Sequence, residues 1–155
     1  RPRRRMMQIS DVQDTGASDV AREVTFTLPA DAIARPENAA HFMRLKPVGR
    51  RVTIAREDKP LAQSDRAVWL LEVGRDLYDP VIYLPLDDVQ ASLETVTDKS
   101  SECPLKGMAS YYAFEGVNPI AWRYAHPFGF AAALADLIAF YPHQVSITVH
   151  AESNG

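Results

Sequence analysis

Alternation of apolar and polar residues with a period of two recurs along most of the chain after residue 22. Val24, Phe26 and Leu28 alternate with Glu23, Thr25 and Thr27, which predicts a half-buried strand over 23–28. Pro36 ahead of Ala39, Ala40, Phe42, Met43 and Leu45 reads instead as the first turn of a short helix that Pro47 stops. From Arg51 the strand signal dominates. Arg51–Ala55 and Leu61–Ser64 flank Glu57, Asp58, Lys59 and Pro60, a hairpin pattern. Ala67–Val73 and Val81–Leu84 are apolar runs of strand length, hence strands buried on both faces. Further strands are predicted at 93–97, 109–114, 120–124, 137–141 and 145–150. Two helical turns interrupt them: one at Asp87 and Asp88, which cap it, and one over Gly129–Ala135.

About nine short strands separated by turn residues predict a mainly β domain, a folded-over antiparallel sheet or partial barrel. Composition agrees. At 155 residues the chain buries roughly 70% of its unfolded surface, enough for one sizeable core. Its 11 prolines favour brief strands and turns over long helices. Organisation along the chain divides into an N-terminal arm, 1–47, holding a strand and the short helix, and a β-rich domain over 48–150. Residues 8–22, rich in Asp, Ser, Gln and Gly, lack apolar periodicity and read as loose or extended.

Charge narrows the partners. Acidic residues outnumber basic ones 20 to 17, and Arg1, Arg3, Arg4 and Arg5 crowd ahead of Met6 and Met7. Residues 1–5 therefore read as a leader, an upstream extension or a cloning remnant, leaving an acidic body. An acidic body does not suit nucleic acid, whose binding needs a basic face. The longest apolar stretch, 128–140, is broken by Asp136 and is too short for a membrane span. No membrane partner and a cytoplasmic location are the expectation. Cys103 is the single cysteine, which excludes an internal disulfide and a zinc site of two CxxC pairs. No two of His41, His126, His143 and His150 have HxH or HxxxH spacing, so neither a metal nor any other cofactor is expected.

Cys103-Pro104-Leu105-Lys106-Gly107 leads into Ala109-Ser110-Tyr111 and packs a thiol, an amine, a flexible glycine and a phenol around the start of a strand. It has no P-loop order. Cys103 reads as a small buried hydrophobe in preference to a nucleophile, which would need a nearby cation and a base. Lys106 reads as either a solvated lysine or an anion-binding one. Trp122 and Tyr124 share one face by alternation, and with Tyr111 they form either aromatic core or the wall of a cavity. Arg66 and Glu72, at the two ends of one apolar strand, read as a surface ion pair.

Six ordered motifs carry a resemblance over residues 48–149. They are Ser64-x-Arg66-Ala67 with Glu72, Tyr83-Leu84-Pro85-x-x-Asp88-Val89, Thr97-Asp98, Cys103-Pro104-x-Lys106-Gly107-x-Ala109-x-Tyr111, Ala121-Trp122-x-Tyr124-x-x-Pro127, and Ala139-Phe140-Tyr141-Pro142-x-x-Val145. Together they resemble the mainly microbial family called domain of unknown function 427, sometimes labelled nucleotidyltransferase-like. The resemblance implies a β-tent fold, related to domains that bind zinc through paired CxxC motifs and hold ligands in an aromatic-lined cavity. The chain departs from the family pattern at Lys99, Leu105 and Asp136.

The resulting expectation is a β-tent-like folded antiparallel sheet with one or two short helices and an N-terminal arm. It would bind a small anionic or polar ligand between Tyr111, Trp122 and Tyr124, with Arg66 and Lys106 as cations. Two alternatives stand beside it. One is an enzyme, thiol-dependent through Cys103 or nucleotidyltransferase-like through Asp88 and Asp98 with Mg²⁺; the other is a structural or protein-interaction domain without a ligand.

Overall fold

The computed structural model describes residues 4–9 and 22–152. Strands β1 (Arg4–Ile9) and β2 (Arg22–Thr27) pair with each other as an antiparallel ribbon. There follow β3 (Ile33–Arg35), β4 (Asn38–Pro47), β5 (Val52–Arg56), β6 (Lys59–Ser64), β7 (Val68–Val73) and β8 (Val81–Pro85). A 3-10 turn at Leu86–Asp88 precedes β9 (Glu94–Cys103), β10 (Gly107–Phe114) and β11 (Val117–Pro127). A second 3-10 helix, Gly129–Leu134, leads to β12 (Leu137–Phe140) and β13 (Ser146–Val149). The protein is mainly β, as the alternating pattern predicts.

An eight-stranded antiparallel sheet in the order β3-β4-β7-β8-β12-β11-β10-β9 carries most of the chain, and a three-stranded sheet, β13-β5-β6, packs with it. Ile82 and Leu84 of β8 and Ile138 and Phe140 of β12 share one core with Val52, Ile54 and Leu61 of the small sheet. The intervening positions, Tyr83 and Ala139, join a second core on the other face, with Leu105, Leu134 and Met43. The middle of the large sheet is thus covered on both sides. That is why β7, β8 and β12 read as continuous apolar runs while β13, open on one face, alternates.

The hairpins follow their turn residues. Glu57 and Asp58 connect β5 to β6 with Glu57 at φ 56°, while Lys59 and Pro60 already belong to the strand. Glu115 and Gly116 both hold positive φ between β10 and β11, the backbone of a type I′ hairpin turn.

The helix expected around Pro36–Leu45 is not formed. Pro36 and Glu37 make the turn between β3 and β4, and residues 38–47 form a strand paired with β7 from Phe42↔Val73 to Pro47↔Val68. Ala39, His41, Met43 and Leu45 alternate with Asn38, Ala40, Phe42, Arg44 and Lys46, and the backbone bonds to β7 make that period win over the helical spacing. β9 also extends six residues beyond Thr97, the end expected for it. Its added part, Asp98–Cys103, is polar because it is the edge of the sheet, where exposed charges discourage pairing with other chains. Asp87 and Asp88 lie inside their 3-10 turn and do not cap it; Pro85 holds the cap position. Of the stretch read as loose or extended, Gln8 and Ile9 fall in β1, Arg22 falls in β2, and residues 10–21 lie outside the described residues. No helix among the described residues is long and apolar enough to cross a membrane.

Met43 is fully enclosed in the second core, whereas its neighbour Ala40 faces outward. Met43→Ala should lower stability by about 2–5 kcal/mol in urea unfolding, the cost of a large-to-small change in a packed core. Ala40→Ser should stay within about 0.5 kcal/mol. Equal small effects at both positions would contradict the strand.

Candidate functional site

On the face of the large sheet away from β5 and β6, the register lines up Tyr111, Trp122, Ala139 and Tyr83 across four adjacent strands. Residues directly opposite one another share a face, so all four side chains project to the same side. Ala139 is small, and over it Trp122 donates its indole N–H to the Tyr83 hydroxyl at 3.1 Å, with the two rings edge to face at 6.1 Å. Tyr141 packs tilted against the indole, 4.5 Å between centroids. Tyr111 is fixed by a 2.6 Å hydrogen bond between its hydroxyl and Ser101. Together with Tyr124 these rings wall a cavity of about 250 Å³.

The polar floor of the cavity comes from β7 and from the turn before β10. Glu72 follows Leu70 by two residues and so projects from the same face, into the cavity. The chain reverses after Cys103, with the Lys106 N–H bonded to the Cys103 carbonyl, and this turn delivers Lys106 to the same place. Gly107 next takes φ +109°, where a Cβ would also lie 3.2 Å from the backbone of His126 and Pro127. Lys106 Nζ donates to Glu72 Oε1 at 2.6 Å, and His41 Nε2 meets the other carboxylate oxygen at 2.8 Å. All three side chains are nearly enclosed, 10% exposed for the Lys106–Glu72 pair and 13% for His41. Lys106 also lies over the Tyr124 ring, 5.4 Å from its centroid.

Burial pushes the Glu72 pKa up, but the Lys106 charge and the hydrogen bonds from Lys106 and His41 outweigh it and hold the carboxyl below its ordinary value. Burial drives the Tyr83 and Tyr124 phenols far above the usual tyrosine range, and Tyr141 moves the same way. The cavity therefore presents neutral hydroxyls at Tyr83, Tyr124 and Tyr141, one internally balanced ion pair and the Asp79 carboxylate.

Four of the five ligand-binding residues proposed from sequence line this cavity: Lys106, Tyr111, Trp122 and Tyr124. Arg66 does not join them. It is 65% exposed and reaches Asp88 at 3.3 Å, and its backbone N–H is held by Ser64 Oγ. The expected surface pair between Arg66 and Glu72 is likewise absent, because Glu72 turns into the second core. Cys103 is partly buried at the end of β9, close to His41 and Glu72. Asp88 accepts hydrogen bonds from Ser64 and Arg66, and Asp98 is exposed on the edge strand. Neither belongs to a group of three close metal-ligand side chains among the described residues.

Sequence reasoning missed Glu72, His41, Tyr83 and Tyr141 as site residues. A signal existed for Glu72, the one charge inside the apolar run Val68–Val73. His41 carried none, since its strand was read as a helix.

A family model described as a domain of unknown function (DUF427) matches residues 44–151, more than half of the chain. No curated protein matches it.

Removing one member of a buried ion pair strands the other. Lys106→Met should therefore cost about 3–5 kcal/mol, and adding Glu72→Gln should recover much of it, as urea unfolding of the double-mutant cycle would measure. Additive losses in the double variant would refute the pairing. Because the folded-state pKa of Glu72 is depressed, its stabilisation is present above the ordinary value of 4.5 and is lost as pH falls through the folded value. The stability gap between the natural protein and Glu72→Gln should hold steady at neutral pH and shrink below pH 4.5.

Proposed function

We infer a role from the pocket itself, because the chain belongs to the family described as a domain of unknown function, DUF427, a description that carries no activity. We propose that this pocket binds a small, polar, ring-bearing molecule. The observation that carries the reading is the row of aromatic rings standing over a buried Lys106–Glu72 pair. Aromatic walls contribute contact area at low entropy cost, while the hydroxyls and the ion pair orient polar groups.

Charge and size refine the ligand class. Lys106 is already balanced by Glu72, Arg66 is elsewhere, and Asp79 adds a carboxylate to the lining. A net anion gains little here, whereas an uncharged or zwitterionic ligand can meet both members of the pair. About 250 Å³ is below the range of roughly 300–1,000 Å³ typical of drug-sized ligands, so the molecule is smaller than a nucleoside triphosphate. Nucleotidyl transfer also needs carboxylates poised to hold Mg²⁺ beside the phosphates. Asp88 is engaged by Ser64 and Arg66, which favours ligand binding over that alternative.

A thermal-shift screen tests the reading with free nucleobases, aromatic amino acids, sugars, carboxylates and Mg²⁺ with nucleoside triphosphates. Ligands of the native state raise the melting temperature by mass action, with about 2.7 kcal/mol expected at a hundredfold excess over Kd. Uncharged or zwitterionic ring compounds should score. Trp122→Phe, which keeps a ring but deletes the N–H that holds Tyr83, should weaken the best of them about tenfold, or ~1.4 kcal/mol. Stabilisation by the triphosphates alone, or a response indifferent to Trp122→Phe, would contradict the reading.

A further inference from the structure

His41, Glu72 and Cys103 are far apart in the chain and lie on β4, β7 and β9, yet their ligand-capable atoms all fall within 4.8 Å of one another. We propose that these three side chains bind a borderline-soft divalent metal ion, zinc foremost. Imidazole nitrogen, carboxylate oxygen and thiolate sulfur are the donors zinc takes, and three protein ligands leave a fourth position open. The inference goes beyond the pocket reading and does not depend on it, because its readout is the metal itself.

The geometry needs only small adjustments. With bonds of about 2.0–2.3 Å, tetrahedral ligands stand roughly 3.3–3.6 Å apart. His41 Nε2 and Glu72 Oε2 are now 2.8 Å apart, joined by a proton that a metal would replace, so this pair opens by about half an ångström. Cys103 Sγ lies within 4.8 Å of one imidazole nitrogen of His41 and one carboxylate oxygen of Glu72, so it closes on those atoms by at most about 1.5 Å. On binding the thiol proton is released to solvent and the Nε2 proton is exchanged through solvent for one on Nδ1, so the imidazole ligates as a neutral ring protonated on its far nitrogen. Thiolate and carboxylate then balance the dication, leaving Lys106 as the residual positive charge.

Neighbouring groups are arranged as a supporting shell. Lys106 holds the other oxygen of Glu72 at 2.6 Å, which fixes the carboxylate for one-oxygen ligation. Gly74 seats the imidazole: a Cβ there would lie 3.1 Å from His41 Cδ2 and 3.2 Å from Nε2. Two cavities flank the cluster and provide access. Glu72 lines the one of about 250 Å³, His41 and Pro104 line another of about 420 Å³, and Tyr78 borders both. Sequence spacing pointed away from a metal because none of these ligands neighbours another along the chain.

Cobalt titration of the chelator-treated full chain is the test. One equivalent of Co²⁺ should produce the visible bands of a four-coordinate ion with a near-ultraviolet thiolate charge-transfer band, and Zn²⁺ should displace it. Cys103→Ser should abolish the charge-transfer band, and His41→Ala should weaken binding by at least about tenfold, both variants first shown to fold by circular dichroism. Absence of the charge-transfer band in the natural chain, or a band of unchanged affinity in His41→Ala, would overturn the proposal.

Discussion

A carboxylate inside an apolar strand has to be paired, and the second core is organised by the way Glu72 meets that demand. An isolated buried charge costs several kcal/mol, so one charged partner and a further hydrogen bond must be within reach of its two oxygens. Lys106 supplies the first and His41 the second. Each comes from a different part of the chain, and each arrives only because a local feature allows it: the turn after Cys103 and the left-handed Gly107 for one, the incorporation of β4 and the open backbone at Gly74 for the other. The turn that delivers Lys106 starts at Cys103, the last residue of β9, and so places the thiol at the same cluster.

The two faces of the large sheet do different work. Against β5, β6 and β13 the core is mainly aliphatic with Phe114 and Phe140 among it, and Val52, Leu61, Leu84 and Ile138 are fully enclosed. On the other face, tyrosines and a tryptophan replace aliphatics, and rigid rings spread around the small side chain of Ala139 leave a cavity that branched aliphatics would fill. This face also holds the buried Lys106–Glu72 pair beside the aromatic-walled cavity.

The aromatic row illustrates how a site can be partly visible in advance. Trp122 and Tyr124 share a face by simple alternation, and Tyr111 sits on the neighbouring strand, so three of the ring positions follow from period two and strand order. Lys106 was conspicuous because it stands beside a glycine. Its charge state as a partner, not a free cation, was invisible, since nothing local to residues 103–107 indicates that residue 72 lies across from it.

By itself the sequence determined the class and most of the elements, because alternation, turn residues and apolar runs are local properties of the chain. It failed over residues 36–45, where helical and strand spacings both fit and only the backbone bonds to β7 decide. It also failed over the polar extension of β9, because an edge strand needs no apolar pattern. The site was decided by tertiary structure. Arg66, in the bend before β7, and Glu72, inside that strand, went to separate environments, while His41, Glu72 and the turn carrying Cys103 and Lys106 were gathered from three segments. Register between strands distant in sequence sets those meetings, and it is a property of the whole sheet that no short stretch of residues encodes.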